Sequence, residues 1–108
     1  MLAVDEQGNI QLTRGDTGII HLSLTDSEGE PYNPSDGDTI TFSMAKKPGD
    51  TVLLQKDIPY DTMDLVLEPA DSKELGFATY AYDIQVTDAE ERVSTVILAK
   101  ITFTKEVG

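Results

Sequence analysis

Polar and apolar residues alternate along residues 77–87, with Phe77 and Ala81 as the apolar residues at polar positions. Ala78, Tyr80, Tyr82, Ile84 and Val86 share one parity, and Thr79, Asp83, Gln85 and Thr87 share the other. A strand turns successive side chains to opposite faces, so this period of two predicts a half-buried β-strand. Gly76 before it and Asp88-Ala89-Glu90-Glu91-Arg92 after it are turn material. The same alternation predicts six more strands. They are residues 9–14; 17–25, with Ile20, Leu22 and Leu24 inward; 38–45, with Ile40, Phe42 and Met44 inward; 51–56, whose inner face the pattern leaves open; 63–68, with Met63, Leu65 and Leu67 inward; and 93–105, with Thr95, Ile97, Ala99, Ile101 and Phe103 on one face. Residues 1–8 read as a loose lead-in. The connection 26–38 carries two prolines and two glycines, which favour turns and deny the backbone a ladder. Proline opens and glycine closes residues 69–76, which predicts a short helical turn near 69–75.

Seven short strands with turns between them and almost no helix predict an all-β chain. The expected form is an antiparallel immunoglobulin-like β-sandwich, and a barrel is the alternative closure. The helical turn precedes Tyr80, at the place where immunoglobulin-like domains cross between sheets. Such domains often set a tyrosine there whose hydroxyl bonds back to the crossing, and Tyr80 or Tyr82 fits that part. The 108 residues suit one domain, 1–108. Such a chain buries roughly two-thirds of its unfolded surface, enough for one core. Cysteine is absent, so neither disulfides nor thiolate metal sites enter the picture.

Charge narrows the partners. Twenty acidic residues against eight basic ones give a formal charge of −12. Nucleic-acid binding rests on cationic neutralisation of phosphates, so neither DNA, RNA nor an anionic membrane is an expected partner. No apolar run approaches the ~20 residues of a membrane-spanning helix. Met1-Leu2-Ala3-Val4 runs directly into Asp5 and Glu6, so no signal peptide is expected.

Little in the sequence points to catalysis or to a cofactor. His21 is the sole histidine, so a serine–histidine–aspartate triad would have to use it. The alternation places it on the face opposite Ile20 and Leu22. Arg14-Gly15-Asp16 matches an adhesion tripeptide but reads as a turn, glycine supplying backbone freedom and aspartate a bond to following amides. Asp26, Glu28, Asp36 and Asp38 are weak candidates for a divalent cation. They lack the later bidentate glutamate of an EF-hand loop. In an antiparallel seven-strand sandwich alternate loops share an end. Loops 26–38, 57–64 and 88–92 would then gather acids at one end, and Arg14, Lys46, Lys47 and Lys73 would lie at the other. Ile19, Val66, Val96 and Leu98 fall opposite the predicted core, which makes them candidates for an assembly interface.

Four stretches together carry a resemblance. They are Thr13-Arg14-Gly15-Asp16-Thr17, Glu68-Pro69-Ala70-Asp71-Ser72-Lys73-Glu74-Leu75-Gly76, Thr79-Tyr80-Ala81-Tyr82-Asp83-Ile84-Gln85-Val86, and a closing strand that opens with Val93-Ser94-Thr95-Val96. In order and spacing the chain resembles, over nearly its whole length, the small β-sandwich tail and baseplate proteins of phages and prophages of Gram-positive bacteria. The N-terminal domain of the phage baseplate upper protein is the best-known relative. Members often have glycine where this chain has Glu90-Glu91 in the last hairpin, and again where it has Ala99-Lys100. The resemblance implies a virion structural protein without catalysis or cofactor. Its partners would be other virion or tail proteins, or itself as a homo-oligomer. The alternative reading is a small cell-surface or carbohydrate-binding immunoglobulin-like module.

Overall fold

The computed structural model describes residues 2–5, 7–25, 28–73 and 75–105. Among them the chain forms ten strands and one helical turn. The elements are β1 (Leu2–Val4), β2 (Ile10–Thr13), β3 (Gly18–His21), β4 (Leu24–Thr25), β5 (Pro31–Tyr32), β6 (Thr39–Ala45), β7 (Leu54–Ile58), β8 (Asp64–Leu67), α1 (Pro69–Ser72), β9 (Thr79–Thr87) and β10 (Val93–Thr104). The fold is all-β. Six strands form a mixed sheet in the order β1-β2-β10-β9-β6-β7, while β3 pairs with β8 and β4 with β5. No helix among the described residues is long and apolar enough to cross a membrane.

The 77–87 alternation becomes the middle of this sheet. β9 pairs antiparallel with β10 on one side and with β6 on the other. Directly opposed residues share a face, so Tyr80, Tyr82, Ile84 and Val86 line up with Met44, Phe42 and Ile40 of β6 and Ile101 of β10. All are buried. Ile10 and Leu12 of β2, Ile20 of β3, and Leu65 and Leu67 of β8 complete one core. Phe42 and Tyr82 stack at 5.2 Å between centroids, and Tyr80 meets Phe103 edge-on at 5.8 Å.

The link from β8 to β9 is held by side chains of opposite character. The Asp71 carboxylate accepts from the Glu68 amide at 2.7 Å and so secures the start of α1. The same oxygen meets Lys56 Nζ of β7 at 2.7 Å. The Tyr80 hydroxyl donates to the Gly76 carbonyl at 3.1 Å, so Tyr80 makes the bond back to the crossing that its position predicts. The Arg14 turn docks on the same segment. Gly15 donates to Ser72 Oγ at 2.9 Å, Arg14 Nη1 donates to the Leu75 carbonyl at 3.1 Å, and the guanidinium lies 4.1 Å above the Phe77 ring. Arg14-Gly15-Asp16 is thus a structural turn; Gly15 has φ 84°.

The structure departs from the sequence expectation at several points. The sheet is not wholly antiparallel: β2 runs parallel to β10 over Ile10↔Ile101 to Thr13↔Thr104. The lead-in 1–8 is not wholly loose, because Leu2–Val4 pairs with β2 as β1. The Asp5 side chain closes that turn by accepting the amides of Gln7 and Asn9. Strand 17–25 breaks into β3 and β4, and the connection 26–38 contributes β5. Strand 51–56 shifts to Leu54–Ile58, since Ile58 lies opposite Ile40 in the ladder with β6. Met63 precedes β8 with a left-handed φ of 57°. Ala78 precedes β9 and is exposed. The ladder between β9 and β10 shifts register between Thr95 and Ile97. A bulge inserts one residue and swaps the faces on its two sides. Thr95 therefore faces outward with Gln85, and Val96 turns to pack against the core. Thr95 is thus not an inward residue, and Val96 is not the exposed apolar residue its parity predicts.

Phe42 is fully buried. Phe42→Ala should lower the unfolding free energy by about 3–5 kcal/mol. Tyr80→Phe, which deletes only the hydroxyl bond to Gly76, should cost about 1 kcal/mol. Denaturant unfolding of the two variants measures both.

Candidate functional site

The ladders fix which loops share an end. Thr39 lies opposite Thr87, Thr87 opposite Val93, and Ile40 opposite Ile58. The described parts of loops 26–38, 57–64 and 88–92 therefore converge. A Cβ on Gly37 would lie 3.6 Å from Ala89 Cβ, so two of the loops touch. Arg14, Lys46, Lys47 and Lys73 flank the opposite strand ends. Asp16, Asp50, Glu68 and Asp71 lie at that end as well, so it is mixed in charge where the other end is acidic.

At the acidic end, Asp88 organises the last hairpin. Its carboxylate accepts the Glu90 and Arg92 amides at 2.9 Å each and Arg92 Nε at 2.8 Å. Arg92 also meets Glu90 at 3.1 Å. The Arg92 amide bond, with the other bonds from Arg92 and Glu90, holds the Asp88 carboxyl below its usual 3.8. Glu91 adopts φ 64°, the left-handed conformation that glycine adopts readily.

Tyr32 of β5 faces this hairpin. Its hydroxyl donates to Asp38 Oδ2 at 3.4 Å, and that oxygen also accepts the Ser35 amide at 3.0 Å. Burial, then the charges of Asp38 and Asp88, push the Tyr32 phenol up from its usual value. Thr25 and Tyr32 on one side and Val86, Ser94 and Val96 on the other enclose a groove of about 660 Å³, with Asp88 and Arg92 at its mouth.

One wall of the groove is an incomplete sheet. β2 covers β10 only from Ile101 to Thr104. One residue earlier, the Lys100 amide donates to Asn9 Oδ1 at 3.1 Å. Before that, residues 93–98 have β9 as their strand partner, and among the described residues no strand pairs with their other edge.

The proposed cation ligands that lie among the described residues do not gather. Among the described residues, no three acidic or histidine side chains lie close enough to share an ion. Glu28, Asp36 and Asp38 thus form no site between them, and Asp26 lies outside the described residues. The interface candidates divide between two faces. Ile19 is 59% exposed and lies opposite Val66 on the β3/β8 pair. Leu98 is 65% exposed on the outer face of the large sheet, opposite Asp83. Asp83 Oδ1 there is shielded from solvent and has no hydrogen-bond partner among the described residues. Val96 belongs to the core side. His21 Nδ1 lies 3.0 Å from Asp64 Oδ1, directly across the β3/β8 ladder, on the exposed face its parity predicts.

Alternation did not reveal the groove or the half-covered strand. Both depend on the bulge at Val96 and on where β2 stops, and neither leaves a mark in an alternating pattern. Asn9 and Asp88, short polar residues at turns, were the available signals. Chemically the site offers main-chain donors and acceptors, apolar side chains and an acidic mouth. Comparison with protein-family models, with curated proteins and with solved structures gave no match.

Two substitutions probe the hairpin. Glu91→Gly should raise stability by about 0.5–1 kcal/mol, by relieving a left-handed side-chain clash. The depressed Asp88 carboxyl contributes stability that is complete above the unfolded pKa and disappears as pH falls through the folded one. Asp88→Asn should therefore flatten the loss of stability below about pH 4, and thermal melts from pH 2 to pH 7 will show it.

Proposed function

We propose that this chain is a non-enzymatic structural subunit or adaptor of a phage or prophage tail or baseplate, working in the virion through protein–protein contacts. It would do so as an immunoglobulin-like sandwich. The order β10-β9-β6-β7, set against β3 and β8, supports that finer reading. Such an order is the one expected of a variable-type sheet with a smaller partner sheet. The Tyr80 bond to Gly76 stands where that fold has its tyrosine corner.

The observation that carries the functional reading is the exposure of large apolar side chains on both outer faces. Ile19 beside Val66 lies on one and Leu98 on the other. Two such faces suit a subunit with neighbours on each side. A carbohydrate-binding module would instead favour exposed aromatic platforms. Here Tyr80 and Tyr82 are buried, Phe77 lies beneath the Arg14 guanidinium, and the exposed Tyr60 stands on a separate loop, so no platform of several rings forms among them. The acidic surface suits neither nucleic acid nor an anionic membrane.

Particles induced from the encoding bacterium provide the test. An antibody raised against the purified chain should decorate the tail or baseplate in negative-stain electron microscopy. Purified particles that lack the chain by immunoblot would refute the assignment.

A further inference from the structure

We infer that residues 93–98 of β10, with the groove beside them, take up an extended basic segment of a partner protein as an added strand. The inference rests on the reading above, that the chain acts through protein contacts, and names the place where one such contact forms.

Main-chain direction supplies the first argument. Alternate residues of a strand aim their N–H and C=O groups to opposite sides. The Lys100 amide reaches Asn9, and the Thr104 carbonyl accepts from the Arg14 amide, both on the β2 side. The ladder with β9 keeps its register from Ile97 to Thr102, so the main chain of Leu98 also points to that side. There, among the described residues, it meets no strand. Unpaired edge groups form a template for another chain.

The groove supplies the second argument. Strand addition gains affinity from the ladder and selectivity from pockets for alternate side chains. Val86 and Val96 line the groove together with Ser94 and Thr95, and Tyr32 stands across from them. A strand laid along residues 93–98 would turn every second side chain toward Val86, Val96 and Tyr32 in that groove.

Charge chooses the occupant. Asp88 and Asp38 both act on Tyr32 at the groove wall, and Glu90 and Glu91 stand on the adjoining hairpin. Arg92, the cation at the mouth, is held by Asp88 and Glu90. A second copy would bring another −12 to the contact, which opposes self-pairing. A partner segment with lysine or arginine on its outward face and apolar residues on its inward face meets both requirements.

The probe is a peptide of about six residues alternating lysine and valine, with a glutamate–valine peptide as control, titrated into the 108-residue chain and followed by amide NMR. At low salt the lysine peptide should bind at least about tenfold more tightly than the control, shifting the amides of residues 93–98 and Tyr32. Leu98→Pro removes the outward N–H without touching the β9 ladder, and should weaken binding at least about tenfold, while Leu98→Ala retains it. Hydrogen exchange keeps the test decisive if the proline variant fails to fold. The Leu98 amide of the unsubstituted chain should exchange freely alone and slow with bound peptide. No binding at millimolar peptide, equal binding of the control, or unchanged Leu98 exchange would overturn the inference. So would a concentration-dependent dimer that slows Leu98 exchange, since the occupant would then be a second copy. Any of these outcomes leaves antibody labelling of particles untouched, so the two readings fail separately.

Discussion

The register of β9 is the constraint on which the rest of the fold depends. It is paired along both edges: β6 brings the buried Met44, Phe42 and Ile40 level with Tyr82, Ile84 and Val86, and β10 brings the buried Ile101 and the half-buried Ala99 and Ile97 level with Tyr80, Tyr82 and Ile84. A slip of one residue would send all four to the solvent face and bring Thr79, Ala81, Asp83 and Gln85 inward. Burying a large apolar side chain is worth about 1.5–3 kcal/mol, so the slip would forfeit roughly 6–12 kcal/mol. That equals the whole stability of a typical domain, roughly 5–15 kcal/mol. The alternative register is therefore not a competitor. The two tyrosines extend that constraint beyond the sheet. Tyr80 holds the Gly76 carbonyl at the crossing, and Tyr82 holds the Gly8 carbonyl ahead of β2. Burial, then the charge of Asp5, push the Tyr82 phenol up from its usual value, which keeps it a donor across the physiological range.

This constraint explains what could be read from the sequence. Where a strand is covered on one face and paired on both edges, burial imposes period two, and β6 and β9 were legible almost to the residue. The reading failed where a different force sets the geometry. The bulge at Val96 reverses parity halfway along β10, so Thr95 and Val96 exchanged roles. The parallel pairing of β2 with β10 is a matter of topology, and no alternation distinguishes it from antiparallel pairing. Met63 and Glu91 take left-handed backbone angles that their side chains disfavour, so the usual glycine signal was missing at both turns. The gathering of acidic loops at one end was legible because it needs only the order of the loops. The open edge was not, because it depends on the distance over which two strands run together.

The edges of the sheet are treated unequally. β1 is three residues long, too short to template much pairing. β7 carries Lys56 on its inward face, level with Phe42, where the ammonium is drawn to Asp71 of the crossing. An inward charge on an outermost strand discourages a second sheet from docking there, since the new neighbour would have to bury it. The same ion pair binds β7 to the link between β8 and β9, so one lysine both guards the edge and closes the core. β10 has no such charge on residues 93–98, where the bulge at Val96 is the irregularity in its ladder with β9. Its side chains there are serine, threonine, valine, isoleucine and leucine, all compatible with a ladder.

The cause of that opening lies at the other end of the sequence. If Asp5 and the residues from Gln7 to Asn9 ran straight into β2, they would lie along β10 and cover it. They turn away instead. Asp5 accepts the Gln7 and Asn9 amides, and Gly8 takes φ +86°. A Cβ on Gly8 would stand 3.3 Å from the Tyr82 hydroxyl, so both the angle and the space call for glycine. The Tyr82 hydroxyl bonds the Gly8 carbonyl, and Asn9 uses its side chain, not its backbone, to satisfy Lys100. The preceding residues fold back as β1 on the far side of β2. Three short residues and one tyrosine thus end the cover on β10 at Lys100. The half-edge is therefore a product of specific side-chain chemistry in the lead-in, and the core tyrosine that fixes the register of β9 also fixes where β10 is left open.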